Sequence, residues 1–140
     1  MKITGNTILI TAGSSGIGRG LAESFHALGN QAVISGRRQS ALNETIAANP
    51  GMKSASFDIA DPAGIRAFAS RIAIDHPALN ALINNAGIMC AENLQARQPD
   101  LANAEAIVTT NLPPVIQNIV PRFQISFCGQ RSGNTGPLVE

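Results

Sequence analysis

The chain has 140 residues, of which 44% are hydrophobic and 14% are charged, and this length favours a single domain with its own core. Its net charge of +1 argues against nucleic-acid binding, and it has neither an apolar signal segment near the start nor the ~20-residue apolar run that crosses a bilayer. The two cysteines, Cys90 and Cys128, lack metal-ligand spacing, which predicts no metal site, no disulfide framework and a reducing cytoplasm.

The first part of the chain alternates strand and helix patterns. Thr7–Thr11 is a β-branched apolar run typical of a strand buried on both faces. After a glycine-rich turn, apolar residues recur at helical spacing over residues 17–28, and Gly29 predicts the helix end. Residues 31–35 indicate a second strand, and residues 38–48 a second helix.

The alternation continues with a third strand over residues 53–57 and a third helix whose start is marked by Asp61 and Pro62. Residues 81–84 indicate a fourth strand, and residues 99–112 are helical again. This order predicts an α/β fold, a Rossmann-type doubly wound parallel sheet of about four strands with flanking helices.

The domain is predicted to be incomplete on its C-terminal side. Pro113 and Pro114 interrupt the fourth helical segment, because proline lacks the amide donor and clashes with the preceding turn. We therefore expect a dinucleotide-binding domain over residues 1–120 and an irregular tail over residues 121–140. We therefore hypothesise a truncated or frame-shifted gene product. In such a product the fourth strand is left as an exposed apolar edge, which is prone to self-association.

The glycine-rich turn after the first strand is a candidate phosphate site. A strand, a glycine turn and a helix start together present unpaired amides and the positive end of the helix dipole. Glycine lets the backbone approach phosphate oxygens, and serine adds hydroxyl donors. The residues of this candidate site are Gly13, Ser14, Ser15, Gly16 and Gly18. Taken alone, the turn is also compatible with a strand-to-helix corner that holds no ligand.

The end of the second strand bears on which dinucleotide is bound. An NAD site usually has an acidic residue there, whereas this sequence has Arg37 and Arg38, which could hold a 2′-phosphate. NADP is therefore favoured over NAD, the alternative being a solvated arginine pair. Asp58 and Asn85 follow the third and fourth strands at the same carboxyl edge, although Asp58 alone is also explained as a turn residue.

Five motifs occur in order along the chain: TAGSSGIG (11–18), SGRR (35–38), DIAD (58–61), NNAG (84–87) and TTNL (109–112). Together they resemble the N-terminal half of a short-chain dehydrogenase/reductase over about residues 5–112. The resemblance implies an oxidoreductase that interconverts carbonyl and alcohol groups with a nicotinamide dinucleotide and a small-molecule substrate that the sequence does not identify.

The resemblance also implies roles for single residues. The turn, including the amide of Ile17, would surround the cofactor diphosphate, and Arg37 would bind the 2′-phosphate of NADP. Asp58 and Ile59 resemble the pair that flanks the adenine. The remaining assignments are Asn85, Ala86 and Gly87 beside the cofactor ribose, and Asn111 as the catalytic-tetrad asparagine that holds a water.

Two departures from the family affect function. Ala12 replaces the first motif glycine, which is expected to strain the turn or crowd the diphosphate if this residue needs a positive φ. The family's proton-donating tyrosine has no counterpart, because the sequence has no tyrosine. The family's lysine that follows this tyrosine has no counterpart either, because the two lysines of the sequence, Lys2 and Lys53, both precede Asn111. This chain is therefore predicted to be inactive by the usual mechanism.

No other group offers a convincing substitute for the missing tyrosine. The sequence indicates that His26 and His76 are structural or solvated histidines. Cys90 lacks a positioned base, without which a lone cysteine is more often inert. Two alternatives remain open, namely a non-catalytic nucleotide-binding module and a non-functional fragment. A methyltransferase with a similar glycine turn is disfavoured, because NNAG and SGRR have no role in that class.

Overall fold

The computed structural model describes residues 3–59, 61–87 and 124–126. Up to residue 84, helices and strands alternate as the sequence predicts, with small shifts at their ends, and the helix predicted over residues 99–112 lies outside the described residues. The elements are β1 (Thr7–Thr11), α1 (Gly16–Ala27), β2 (Gln31–Gly36), α2 (Gln39–Ala48), β3 (Lys53–Ser56), α3 (Pro62–Asp75), β4 (Leu79–Asn84) and β5 (Gln124–Ser126).

The described strands form one parallel sheet in the order β3-β2-β1-β4-β5. The central strand β1 pairs with β2 along its whole length, from Thr7↔Gln31 to Thr11↔Ser35, and with β4 on its other side. The connections reverse direction at β1, and open parallel sheets bind ligands beyond the carboxyl ends of the strands at such a point. The predicted Rossmann-type doubly wound fold is confirmed.

The strand β5 corrects two expectations. Gln124–Ser126 lie in the segment predicted to be irregular, yet they pair with β4 from Leu82↔Gln124 to Asn84↔Ser126. The prediction of an unpaired edge along β4 is therefore wrong for Leu82–Asn84, and self-association stays a prediction. The stretch FQISF (123–127) alternates apolar and polar residues, which is the pattern of a strand and was the available signal.

The two faces of the sheet carry separate hydrophobic clusters. Ile8 and Ile34 point to one face, where they pack with α1 and α2, whereas Leu9 and Val33 point to the other face, where they pack with α3. On the α3 side, Phe57 stacks on a helix phenylalanine with ring centroids 4.4 Å apart. Because both faces are covered, the strands need apolar residues at successive positions rather than an alternating pattern.

Local signals at the helix ends act as predicted. The Gly29 N–H donates to the His26 carbonyl at 2.9 Å, and the Asn30 N–H donates to the Phe25 carbonyl at 3.2 Å, which together close the C-terminal turn of α1. At the start of α3, the Asp61 carboxylate accepts a hydrogen bond from the Ala63 N–H at 3.1 Å. In the described part of the chain, no helix is long and apolar enough to cross a membrane.

Candidate functional site

A cleft of about 350 Å³ lies at the carboxyl edge of the sheet, between the segments that follow β1, β2, β3 and β4. Its volume falls in the usual range for small-molecule sites. Predicted site residues that line it are Ser14, Ser15, Arg37, Arg38, Asp58, Ile59, Ala86 and Gly87. The sheet order thus brings four sequence-distant motifs to one cavity.

The other predicted residues do not line this cleft. Gly13 and Gly18 pack inside the turn, Gly16 and Ile17 lie at the exposed start of α1, and Asn85 packs behind the turn. Asn111 lies outside the described residues, so its predicted role stays a prediction. Lining residues that received no role from the sequence are Thr11, Ser35, Gly36 and Phe57.

Two residues at the junction of β1 and α1 lie in the left-handed region, one in the turn and one at the first position of α1. Ala12 has φ 52° and Gly16 has φ 53°. A Cβ on Gly16 would meet nothing within 4 Å, so the backbone there faces open space that a ligand can approach. By contrast, a Cβ on Gly13 would come within 2.6 Å of Ile34 Cγ2, and one on Gly18 would collide with the Ala12 carbonyl. The glycines therefore divide between an open backbone surface and close packing.

Ala12 is the one non-glycine residue with positive φ among residues 3–59, 61–87 and 124–126. A left-handed conformation costs an L-residue about 1–2 kcal/mol, because its Cβ approaches the following carbonyl oxygen. The condition under which strain in the turn is expected, a positive φ at this position, is therefore met. Ala12 also lines the cleft.

Thr11 connects the end of β1 to the segment after β4. Its side chain is buried, and Oγ1 accepts hydrogen bonds from the backbone N–H groups of Asn85 and Ala86, both at 2.9 Å. The same hydroxyl donates to the Ile83 carbonyl at 3.4 Å, which uses its full hydrogen-bonding capacity. The hydroxyl thereby fixes Ala86 against the cleft.

The charges at the cleft come from its rim. Arg37 and Arg38 are exposed at the end of β2, and the exposed Asp58 follows β3. Their guanidinium groups give the β2 side of the cleft two positive charges. Next to them, α1 has no acidic residue in its first turn, and its N-cap Ser15 makes no side-chain capping bond. The cleft is thus suited to an anionic ligand.

The end of β2 is held in place by backbone contacts. The Gly13 N–H donates to the Ser35 carbonyl and the Phe57 N–H donates to the Gly36 carbonyl, both at 3.0 Å. The Ser35 side chain behaves differently, because its Oγ is buried and has no hydrogen-bond partner. It is one of the cleft-lining groups that the sequence pattern does not single out.

The histidines lie away from the cleft. His26 Nε2 is 3.1 Å from the Pro50 carbonyl oxygen, and His76 caps the C-terminus of α3. Among the described residues, no group of three His, Cys, Asp or Glu side chains could hold a metal ion. Cys90 and Cys128 lie outside the described residues.

The sequence pattern of the family described as short chain dehydrogenase matches residues 6–134. DltE, an uncharacterized oxidoreductase of Bacillus subtilis, is 42% identical over 88 residues, which make up 63% of this chain and 35% of that protein. A short-chain dehydrogenase structure from Streptomyces avermitilis has a TM-score of 0.75 and 24% identity, covering 86% of this chain and 44% of that one.

A further solved structure, the Pseudomonas aeruginosa RhlG/NADP active-site complex, has a TM-score of 0.70 and 26% identity, covering 78% of this chain and 43% of that one. The chain therefore spans well under two thirds of the length of these relatives. The family match extends past residue 112, where the resemblance in the sequence motifs ended, and includes β5.

Proposed function

This chain belongs to the short-chain dehydrogenase family, and on that premise we propose that its cleft binds the adenosine and diphosphate half of NADP(H). The observation that carries the proposal is the pair Arg37 and Arg38 on the rim, beside the glycine turn and without an acidic residue at the end of β2. The bound dinucleotide would supply the hydride-transfer chemistry of the family.

The turn after β1 would hold the diphosphate. The backbone at Gly16 faces open space, and the first amides of α1 have no intrahelical partners. Ser14 and Ser15 line the cleft beside these amides and offer hydroxyl donors. A diphosphate there would also gain from the positive end of the α1 dipole, which is not offset by an acidic residue in the first turn.

The arginine pair would select NADP over NAD. A guanidinium makes paired, charge-assisted hydrogen bonds to a phosphate, worth about 1.5–3 kcal/mol, which corresponds to a preference of roughly tenfold or more. An acidic residue at this position would instead accept hydrogen bonds from the ribose hydroxyls of NAD and would repel a 2′-phosphate. The name of the related RhlG/NADP complex supports the same choice of cofactor.

The proposal separates binding from turnover. Reduction of a carbonyl requires a proton for the developing alkoxide, and a tyrosine supplies it in the short-chain dehydrogenase family. These 140 residues contain no tyrosine. We therefore expect them to bind NADPH without turning over a carbonyl substrate, and a complete reaction would need a proton donor and substrate contacts from outside these residues.

Fluorescence titration with NADPH and NADH tests the proposal. We expect the wild-type chain to bind NADPH at least about tenfold more tightly, and Arg37→Ala/Arg38→Ala to abolish this difference. Arg66→Ala is the matched control, because Arg66 is exposed on α3 and does not line the cleft. Equal affinity for the two dinucleotides, or an equal effect of the control, would refute the assignment. Carbonyl-dependent consumption of NADPH would refute the separation of binding from turnover.

A further inference from the structure

The side chain of Ser35 is the buried polar group of the cleft that the fold itself does not satisfy. The residue is 1% exposed, its Oγ has no hydrogen-bond partner, and it lines the cleft. Buried hydroxyls in native proteins are nearly always hydrogen-bonded, because leaving one unpaired forfeits its hydration without replacement. An unpaired hydroxyl on a residue that lines a binding cleft therefore points to a ligand atom as its partner.

The position of Ser35 in the sheet indicates which part of a ligand it meets. Ser35 lies between Thr11 of β1 and Ala55 of β3 in the strand register. Side chains alternate along a strand, so Ser35 lies on the same face as Val33, which packs toward α3. On β2, and just beyond the ends of β2 and β3, the lining groups next to it are Gly36, Arg37 and Phe57. These groups form the β2–β3 side of the cleft, whereas the turn contacts Ser35 through the backbone, where the Ser35 carbonyl accepts a hydrogen bond from the Gly13 N–H at 3.0 Å.

We propose that Ser35 Oγ forms a hydrogen bond with the adenosine moiety of the bound dinucleotide and is a determinant of nucleotide affinity. The inference rests on the proposed function and deepens it. A hydroxyl both donates and accepts, so it can serve a ring nitrogen or a sugar hydroxyl. These atoms are common to NAD and NADP. Ser35 would therefore strengthen binding of both, whereas the arginines would distinguish between them.

The inference predicts opposite effects of one substitution on the empty and the occupied protein. Ser35→Ala removes a hydroxyl that has no partner in the empty cleft, so the melting temperature without ligand should stay the same or rise by a few degrees. With a nucleoside bound, the same change removes a hydrogen bond and should raise the Kd by about fivefold. A purely structural serine would instead lower the melting temperature when replaced.

The test is a calorimetric titration of the full chain with ADP and with adenosine 2′,5′-bisphosphate, together with thermal melts without ligand. Ser54→Ala on β3 is the matched control, since Ser54 is in the neighbouring strand and does not line the cleft. We expect Ser35→Ala to weaken both nucleotides by the same factor and Ser54→Ala to weaken neither. Arg37→Ala should weaken only the bisphosphate.

Several results would overturn the inference. Unchanged Kd values in Ser35→Ala refute it and leave the proposed function standing. Weakening of the bisphosphate alone means that the hydroxyl contacts the phosphate rather than the nucleoside. A clear fall in the melting temperature without ligand means that the hydroxyl has a partner within the protein. Failure of the wild-type chain to bind either nucleotide refutes the proposed function and the inference together.

Discussion

Replacing Ala12 by glycine should stabilise the chain, although the same replacement usually destabilises a protein. Ala12 has φ 52°, a conformation in which its Cβ approaches the following carbonyl oxygen. Relief of this contact is worth about 1–2 kcal/mol. Glycine gains freedom in the unfolded chain, which offsets about 0.4–1 kcal/mol. The difference between the centres of these two ranges leads us to expect that Ala12→Gly raises the free energy of unfolding by about 0.8 kcal/mol.

Urea denaturation measures this change directly, because a shift of the midpoint at constant slope reports stability alone. Ala67→Gly provides a matched control of opposite sign. Ala67 is exposed in the interior of α3, where glycine costs a helix about 1 kcal/mol. If Ala12→Gly destabilises the chain as much as Ala67→Gly does, the left-handed conformation at Ala12 is not strained and the reasoning fails.

Two further predictions test the cleft wall and the surface of α1. Thr11→Val keeps the side-chain shape but leaves the N–H groups of Asn85 and Ala86 without their acceptor. It should therefore lower the free energy of unfolding by about 2 kcal/mol in urea denaturation and weaken NADPH binding. An unchanged urea midpoint would contradict this prediction. A hydrogen bond from Arg19 holds the pKa of the Glu23 carboxyl below its ordinary value of 4.5. The stability that this pair contributes is therefore present above about pH 4.5 and is lost as the pH falls through the lowered pKa. The difference in urea midpoint between wild type and Glu23→Gln should therefore become smaller as the pH falls. A difference that is independent of pH would contradict a stabilising contribution from the Arg19–Glu23 pair.

The features that the sequence predicts well are those set by local chemistry. The apolar run Thr7–Thr11 needs no tertiary information to indicate a buried strand, and Asp61 with Pro62 determines where α3 begins. Arg37 and Arg38 follow directly after a predicted strand, so their position at the carboxyl edge also follows from the order of the elements. The structure brings both to the cleft.

The features that the sequence does not predict depend on pairing between distant segments. The importance of Thr11 appears only when β4 lies beside β1, because its hydrogen-bond partners are more than seventy residues away, at Asn85 and Ala86. Ser35 becomes notable only when its neighbours in the sheet are known not to satisfy its hydroxyl. The alternation in FQISF (123–127) covers only five residues, too few for a periodic pattern to outweigh the turn-rich sequence that follows it.

Two features of the cleft destabilise the empty protein, the unpaired Ser35 hydroxyl and the strained Ala12 backbone, and they differ in whether a ligand can relieve them. The Ser35 hydroxyl gains a partner when a nucleoside occupies the cleft, so the atom that weakens the empty fold strengthens the occupied one. The strain at Ala12 persists in both states, because it arises between the Cβ of this residue and its own backbone. The unpaired Ser35 hydroxyl is thus useful for nucleotide binding, whereas the strain at Ala12 is not. Ala12→Gly should therefore gain stability without loss of nucleotide affinity, whereas Ser35→Ala should lose affinity with no loss of stability.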